Sequence, residues 1–147
     1  MWALSVMKNI SILLAFILFS GYANAFDIWI NERLWSPSGN CMVFPESFIT
    51  TAKIDCIQDE VNIEIILDSS YKSLEWVKVE IPIIRKEAKK TGNHFFRGKT
   101  EYMQIERINK HNGKSYYGRF ILGEFVFVSI MAPTIAELKN ASGKIWE

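Results

Sequence analysis

Cysteine and histidine are scarce in this chain, two of each, and the short motifs that carry most enzyme chemistry are missing. There is no C-x-x-C pair, no H-E-x-x-H, no G-x-S-x-G elbow and no glycine-rich phosphate loop ahead of a helix. His94 and His111 stand in "GNHFFRG" and in a turn, without ligand-like spacing to either cysteine, so a metal site is not expected. A general base needs an oriented partner within hydrogen-bond reach, and the sequence displays none. These absences point away from an enzyme, and no cofactor is expected.

An excess of one charge is missing as well, with 17 basic against 16 acidic residues. Binding to a phosphate backbone is driven by concentrated positive charge, so nucleic acid is not an expected partner. No low-complexity stretch or internal repeat interrupts the chain, and an apolar content of 49% is ordinary for a globular domain.

The long apolar run is "ISILLAFILF", Ile10 to Phe19, with only Ser11 polar. It is too short to cross a bilayer core, which takes roughly 20 residues. Lys8 precedes it and Ala23-Asn24-Ala25 follows, which matches the cleavage pattern of a secretory signal peptide. The reading is therefore a signal peptide over residues 1–25 and a single exported, periplasmic domain over 26–147, with Met7 as an alternative start. The other reading is an uncleaved anchor from Ile10 to Ile30, which would be the chain's membrane contact. That anchor would bury Asn24 and Asp27, and an Asp near the middle of a spanning helix costs about 2.5–3.5 kcal/mol. The leader holds Lys8 and no acidic residue, so the remaining chain is formally neutral.

Two cysteines in an exported chain most simply pair with each other. A Cys41–Cys56 disulfide would close a loop of about 15 residues and contribute about 3 kcal/mol in the chain-entropy description.

What remains reads as α+β, an antiparallel sheet of about five to six strands with a middle and a C-terminal helix. "FDIWINERLW" alternates as a first strand, with Phe26, Ile28 and Ile30 on one face, and "SPSGN" ends it. "CMVFPESF" holds a short apolar run stopped by Pro45. "TAKIDCIQDEVNIEIILDSS" gives two strands around Gln58-Asp59, with Val61, Ile63, Ile65 and Leu67 pointing one way. Residues 71–90 are ambiguous. Leu74, Val77, Ile81, Ile84 and Ala88 keep helical spacing ahead of a basic end, yet Val77, Val79, Ile81 and Ile83 alternate and Pro82 would kink a helix; the balance favours helix. Asn112-Gly113 between "TEYMQIERIN" and "KSYYGRFILG" signals a hairpin, and "EFVFVSIMA" adds a strand. Thr134 and Glu137 then stand at capping-box spacing ahead of Ile135, Leu138, Ala141 and Ile145.

With its early "VFPESF", hairpin, middle helix, three-stranded meander and final "APTIAELKNASGKIWE", the layout resembles DcrB/PsbP-like domains. The resemblance implies a non-enzymatic binding role. In some bacterial members that role is immunity, the neutralising of a toxin in the periplasm. The expectation carried forward is thus a periplasmic protein-binding inhibitor with a protein partner. Two alternatives differ in class: a small-ligand or lipid-binding module whose aromatics line a cavity, and a hydrolase with a scattered site.

Three sets of residues are candidates for partner contact. His94, Phe95, Phe96 and Arg97 lie in a predicted loop between Gly92 and Gly98, and Phe and Arg suit interface anchors; the plainer reading puts one Phe in the core with Arg97 at its border. Tyr117 and Arg119 share a strand face that Tyr116 does not. The series Asp55, Asp59, Glu60, Asn62, Glu64 and Asp68 lacks the twelve-residue calcium loop and reads as a solvated strand face, from which Glu60 and Glu64 would meet a basic partner.

Overall fold

The structure is a computed structural model and describes residues 28–30, 33–35, 40–46, 51–58 and 60–147. The expected leader, residues 1–25, lies outside the described residues, as do Phe26 and Asp59. The elements run β1 (Ile28–Ile30), β2 (Arg33–Trp35), β3 (Asn40–Glu46), β4 (Thr51–Gln58), β5 (Val61–Ile66), a 3-10 turn (Ser69–Ser73), α1 (Glu75–Lys90), β6 (His94–Arg97), β7 (Thr100–Ile108), β8 (Ser115–Leu122), β9 (Phe127–Ala132), α2 (Ile135–Ser142) and a final 3-10 turn (Gly143–Ile145).

Strands β3 to β9 form one antiparallel sheet in the order β3-β4-β5-β9-β8-β7-β6, and β1 and β2 form a separate hairpin. Because side chains alternate along a strand, the register sorts them into rows across the sheet. One row runs Ile54, Ile65, Val128, Ile121, Tyr102, Phe95. It is covered by α2, the final turn and the β1–β2 hairpin, through Leu138, Ile145, Ile30 and Trp35. The Trp35 indole donates to the Ala141 carbonyl at 3.2 Å and fastens the hairpin to α2. The adjacent row on the opposite face runs Lys53, Ile66, Phe127, Leu122, Glu101, Phe96. Here α1 packs with Val77, Ile81, Ile84 and Ala88 against Ile66, Met103, Ile105, Phe120 and Phe127. Each of these side chains larger than alanine stabilises by about 1.5–3 kcal/mol when buried rather than exposed. The fold is therefore α+β in three layers, with two filled cores on either side of one sheet.

The ambiguity over residues 71–90 resolves as helix, and the reason for the misleading alternation is visible. Val79 and Ile83 face solvent, 54% and 46% exposed, while Val77 and Ile81, with which they alternate, are buried. Pro82 is on the exposed side, so its ring meets no sheet; the helix continues, and the Lys78 carbonyl loses the N–H that residue 82 would otherwise supply. Arg107 of β7 ties the sheet to the helix through Glu80 at 3.3 Å and Glu87 at 3.4 Å. Thr134 caps α2 as expected, while the Glu137 carboxylate bonds the Thr134 hydroxyl in place of the backbone N–H of a full capping box. The Glu137 amide donates to the Thr134 hydroxyl oxygen at 3.2 Å, and that hydroxyl donates to the Glu137 carboxylate at 2.7 Å.

The disulfide is present, joining Cys41 and Cys56, which are paired across β3 and β4. It fits a non-reducing environment. Among the described residues no helix is long and apolar enough to cross a membrane.

Several local expectations are corrected. The predicted first strand is a hairpin of two three-residue strands. Strand β3 continues through Pro45 to Glu46, which its place at the sheet edge permits, since a proline there forfeits no inter-strand donor bond on its open side. Leu67 is past the end of β5 and 36% exposed, and Ile66 takes the buried place on the α1 side. The segment predicted as a loop at 94–97 is β6, the edge strand beside β7. A two-residue turn explains this. Gly98, at φ +57, adopts the left-handed conformation that closes the β6–β7 hairpin with Arg97 opposite Thr100.

Candidate functional site

Alternation within β6 sends its four candidate residues to two different places. Phe95 and Arg97 face the α2 side. Phe95 stacks on Tyr102 at 4.8 Å, and Trp146 meets both rings edge-on at 5.5 and 5.7 Å. The Arg97 guanidinium lies over the Phe95 and Tyr102 rings and donates to the carbonyls of Ile145 at 3.3 Å, Trp146 at 2.9 Å and Glu147. Arg119 comes to the same cluster from β8, 4.4 Å from the Trp146 ring centre, and donates to Gln104 at 2.8 Å. Burial lowers the Arg119 pKa to about 10, opposed by the charge of Glu147, and leaves it a cation at neutral pH. These residues clamp the segment 145–147 onto the sheet. Tyr117 borders the same core, half-buried, and a hydrogen bond with Glu106 holds its hydroxyl pKa above the ordinary value.

His94 and Phe96 face the α1 side. His94 is not the exposed loop residue that the sequence suggested: its Nε2 lies 2.8 Å from Glu101 Oε1, in a half-buried position. Arg85, reaching down from α1, grips the same carboxylate with two bonds, 2.6 Å to Oε1 and 2.8 Å to Oε2. Burial pushes the Glu101 pKa up, but the hydrogen bonds from Arg85 and His94 outweigh it, and the net result is a carboxyl below its ordinary value. Both oxygens are engaged, so Glu101 presents a neutralised floor rather than a free anion.

Above that floor lies a groove of about 530 Å³, open to solvent, between the first half of α1 and the β6–β7 and β8–β9 turns. Tyr71, Val77, Ile81 and Leu122 give it an apolar lining, and Lys72, Lys78 and Lys99 stand on it. The Tyr71 hydroxyl, its pKa raised by burial and by the Glu101 charge, donates to the Gly123 carbonyl at 2.6 Å and fixes the β8–β9 turn. A Cβ at Gly123 would come 2.7 Å from a Val126 methyl, so a larger residue there would force the Val126 side chain to move. A second open depression of about 410 Å³ continues on the far side of that turn, lined by Trp29, Leu67, Phe125 and Val126, and it shares Lys99, Gly123 and Glu124 with the first. Around these two lobes Trp29 is 70%, Phe125 64% and Phe96 60% exposed. One end of the sheet thus carries clustered, exposed apolar side chains.

The acidic candidates are elsewhere. Glu64 sits on the part of the sheet that α1 leaves uncovered and pairs with Lys53 at 3.4 Å, with Asp55 at 3.8 Å from the same amine. Glu60 borders a smaller depression beside the β7–β8 hairpin, at the opposite end of the sheet. Of the expected contact residues, then, only Phe96 opens onto the groove, with His94 supporting its floor. The sequence reading missed Tyr71, Lys72, Arg85, Lys99, Glu101 and Phe125. The available signals were an acid in the second position of a strand otherwise buried at its start, and Phe125 beside a glycine turn. Among the described residues no group of three His, Cys, Asp or Glu side chains gathers as a metal site. The chain matches no protein-family model, no curated protein and no solved structure.

Proposed function

We propose that this chain is an exported protein-binding inhibitor whose contact surface is the two-lobed groove, and that its physiological role is immunity against a toxin acting in the bacterial envelope. The observation that carries the binding role is the exposure of Trp29, Phe96 and Phe125 around one lysine-rimmed end of the sheet. Large apolar side chains left in water on a rigid scaffold are anchors for a partner. Both cores are filled by packed side chains, and the two depressions are open to solvent, which favours a macromolecular partner over an enclosed small ligand or lipid. The disulfide supports work outside a reducing cytosol. The inhibitor role itself rests on the layout resemblance to DcrB/PsbP-like domains and on the signal-peptide pattern of residues 1–25.

Cells lacking the protein, grown against toxin-armed siblings, should be killed and should be rescued by the exported wild-type chain but not by a Phe96→Ser/Phe125→Ser variant. Equal survival with and without the protein would overturn the immunity role.

A further inference from the structure

We infer that the groove accepts an extended acidic segment of the partner, with apolar side chains entering the two lobes and carboxylates meeting Lys72, Lys78 and Lys99. This inference rests on the protein-binding role above and adds the chemistry of the bound segment.

The charge of the surface comes first. The charged groups lining the two lobes are Lys72, Lys78, Arg85 and Lys99 against Glu101 and Glu124. Arg85 and Glu101 cancel through a bidentate pair. Lys78 has only an exposed partner, Glu75 at 3.9 Å, a contact of the weak surface type. Lys72 lies over the Tyr71 ring, and neither it nor Lys99 has a salt bridge among the described residues. Among the lining residues Glu124 is the single acid left beside three ammonium groups, and with Glu75 opposing Lys78 from outside the lobes the local balance is still positive, so the surface attracts carboxylates. On a formally near-neutral chain this local excess is a property of the site.

The shape narrows the class of occupant. Two concave lobes on either side of the Gly123–Glu124 turn suit a chain laid across the turn, with Lys99 common to both lobes.

The test uses the full exported chain and three labelled synthetic peptides of equal length: one alternating Asp or Glu with Phe, one in which Lys replaces the acids, and one in which Ser replaces Phe. Binding is read by fluorescence polarisation at low and high ionic strength. The acidic aromatic peptide should bind, weaken with salt, and lose about tenfold in affinity on Lys99→Glu or Lys72→Glu. Lys139→Glu, an exposed change on α2, should leave it unaltered. Tighter binding of the basic peptide, or equal binding of all three, would overturn the inference. Binding of anionic lipid vesicles in preference to the acidic peptide would also overturn it and make the surface a membrane contact. If no peptide binds while a photo-crosslinker at Phe125 still captures a protein, the acidic-segment inference fails and the protein-binding role survives.

Discussion

The two faces of β6 hold similar residue types and use them in opposite ways. On the α2 side, Phe95, Arg97, Arg119 and Trp146 close on one another, and the arginines bind the carbonyls of 145–147 and the Trp146 ring. On the α1 side, Phe96 stands 60% exposed over a carboxylate already held by Arg85 and His94, with lysines that have no buried partner. The comparison shows that an aromatic-arginine pairing in sequence does not by itself identify a contact surface. What distinguishes the two clusters is whether the fold supplies the partners. In the first it does, and the cluster is architecture; in the second it supplies partners only for the floor.

Substitutions separate these roles, beginning with the largest effect. Trp146→Ala removes the ring on which Phe95, Tyr102 and Arg119 converge, and unfolding free energy should fall by about 3 kcal/mol in urea titrations. Partner binding by the molecules that remain folded should be unchanged. A loss of binding without a loss of stability would assign the cluster to the interface after all.

Glu101→Gln tests the floor of the groove and should cost about 2 kcal/mol at neutral pH, less than a fully buried ion pair because Arg85 is partly exposed. Its pH dependence follows from the depressed carboxyl. Stability from a depressed carboxylate is complete above its unfolded pKa, about 4.3, and is lost as pH falls through the lower folded value. The gap between wild type and Glu101→Gln should therefore be full at pH 7 and shrink as the medium is taken well below pH 4. A gap independent of pH would mean that the side chain acts through shape alone. The smallest stability effect is expected from Phe96→Ser and Phe125→Ser, within about 0.5 kcal/mol each. Both should nonetheless weaken the partner complex by tenfold or more, read by titration calorimetry. A large stability loss at either position would make it a core residue.

Much of the fold was legible because period and packing agreed. The 3.6-residue spacing of Val77, Ile81, Ile84 and Ala88, the Asn112-Gly113 hairpin and the Thr134 cap of α2 each state a local preference that the tertiary structure does not oppose. Residues 94–97 were misread because a glycine on each side suggested a loop. In fact Gly98 turns the chain into a hairpin, and β6 gains its identity from β7 alone. The groove was harder to read for a different reason. Phe96, Glu101 and Leu122 become neighbours only through the β6–β7 and β7–β8 registers, and Arg85 reaches them from another layer. Glu60 and Glu64 were legible as surface but not as belonging to different places, since that depends on how far α1 extends over the sheet.

The central claim is that the β8–β9 end of the sheet, and no other exposed apolar position, meets the partner. Ile108, 66% exposed at the opposite end of β7, provides the control. A photo-crosslinking amino acid placed in turn at Phe96, Phe125 and Ile108 of the full chain tests the claim in living cells. The account predicts one shared crosslinked protein from Phe96 and Phe125 and none from Ile108; the same protein captured from Ile108, with nothing from the groove, would contradict it.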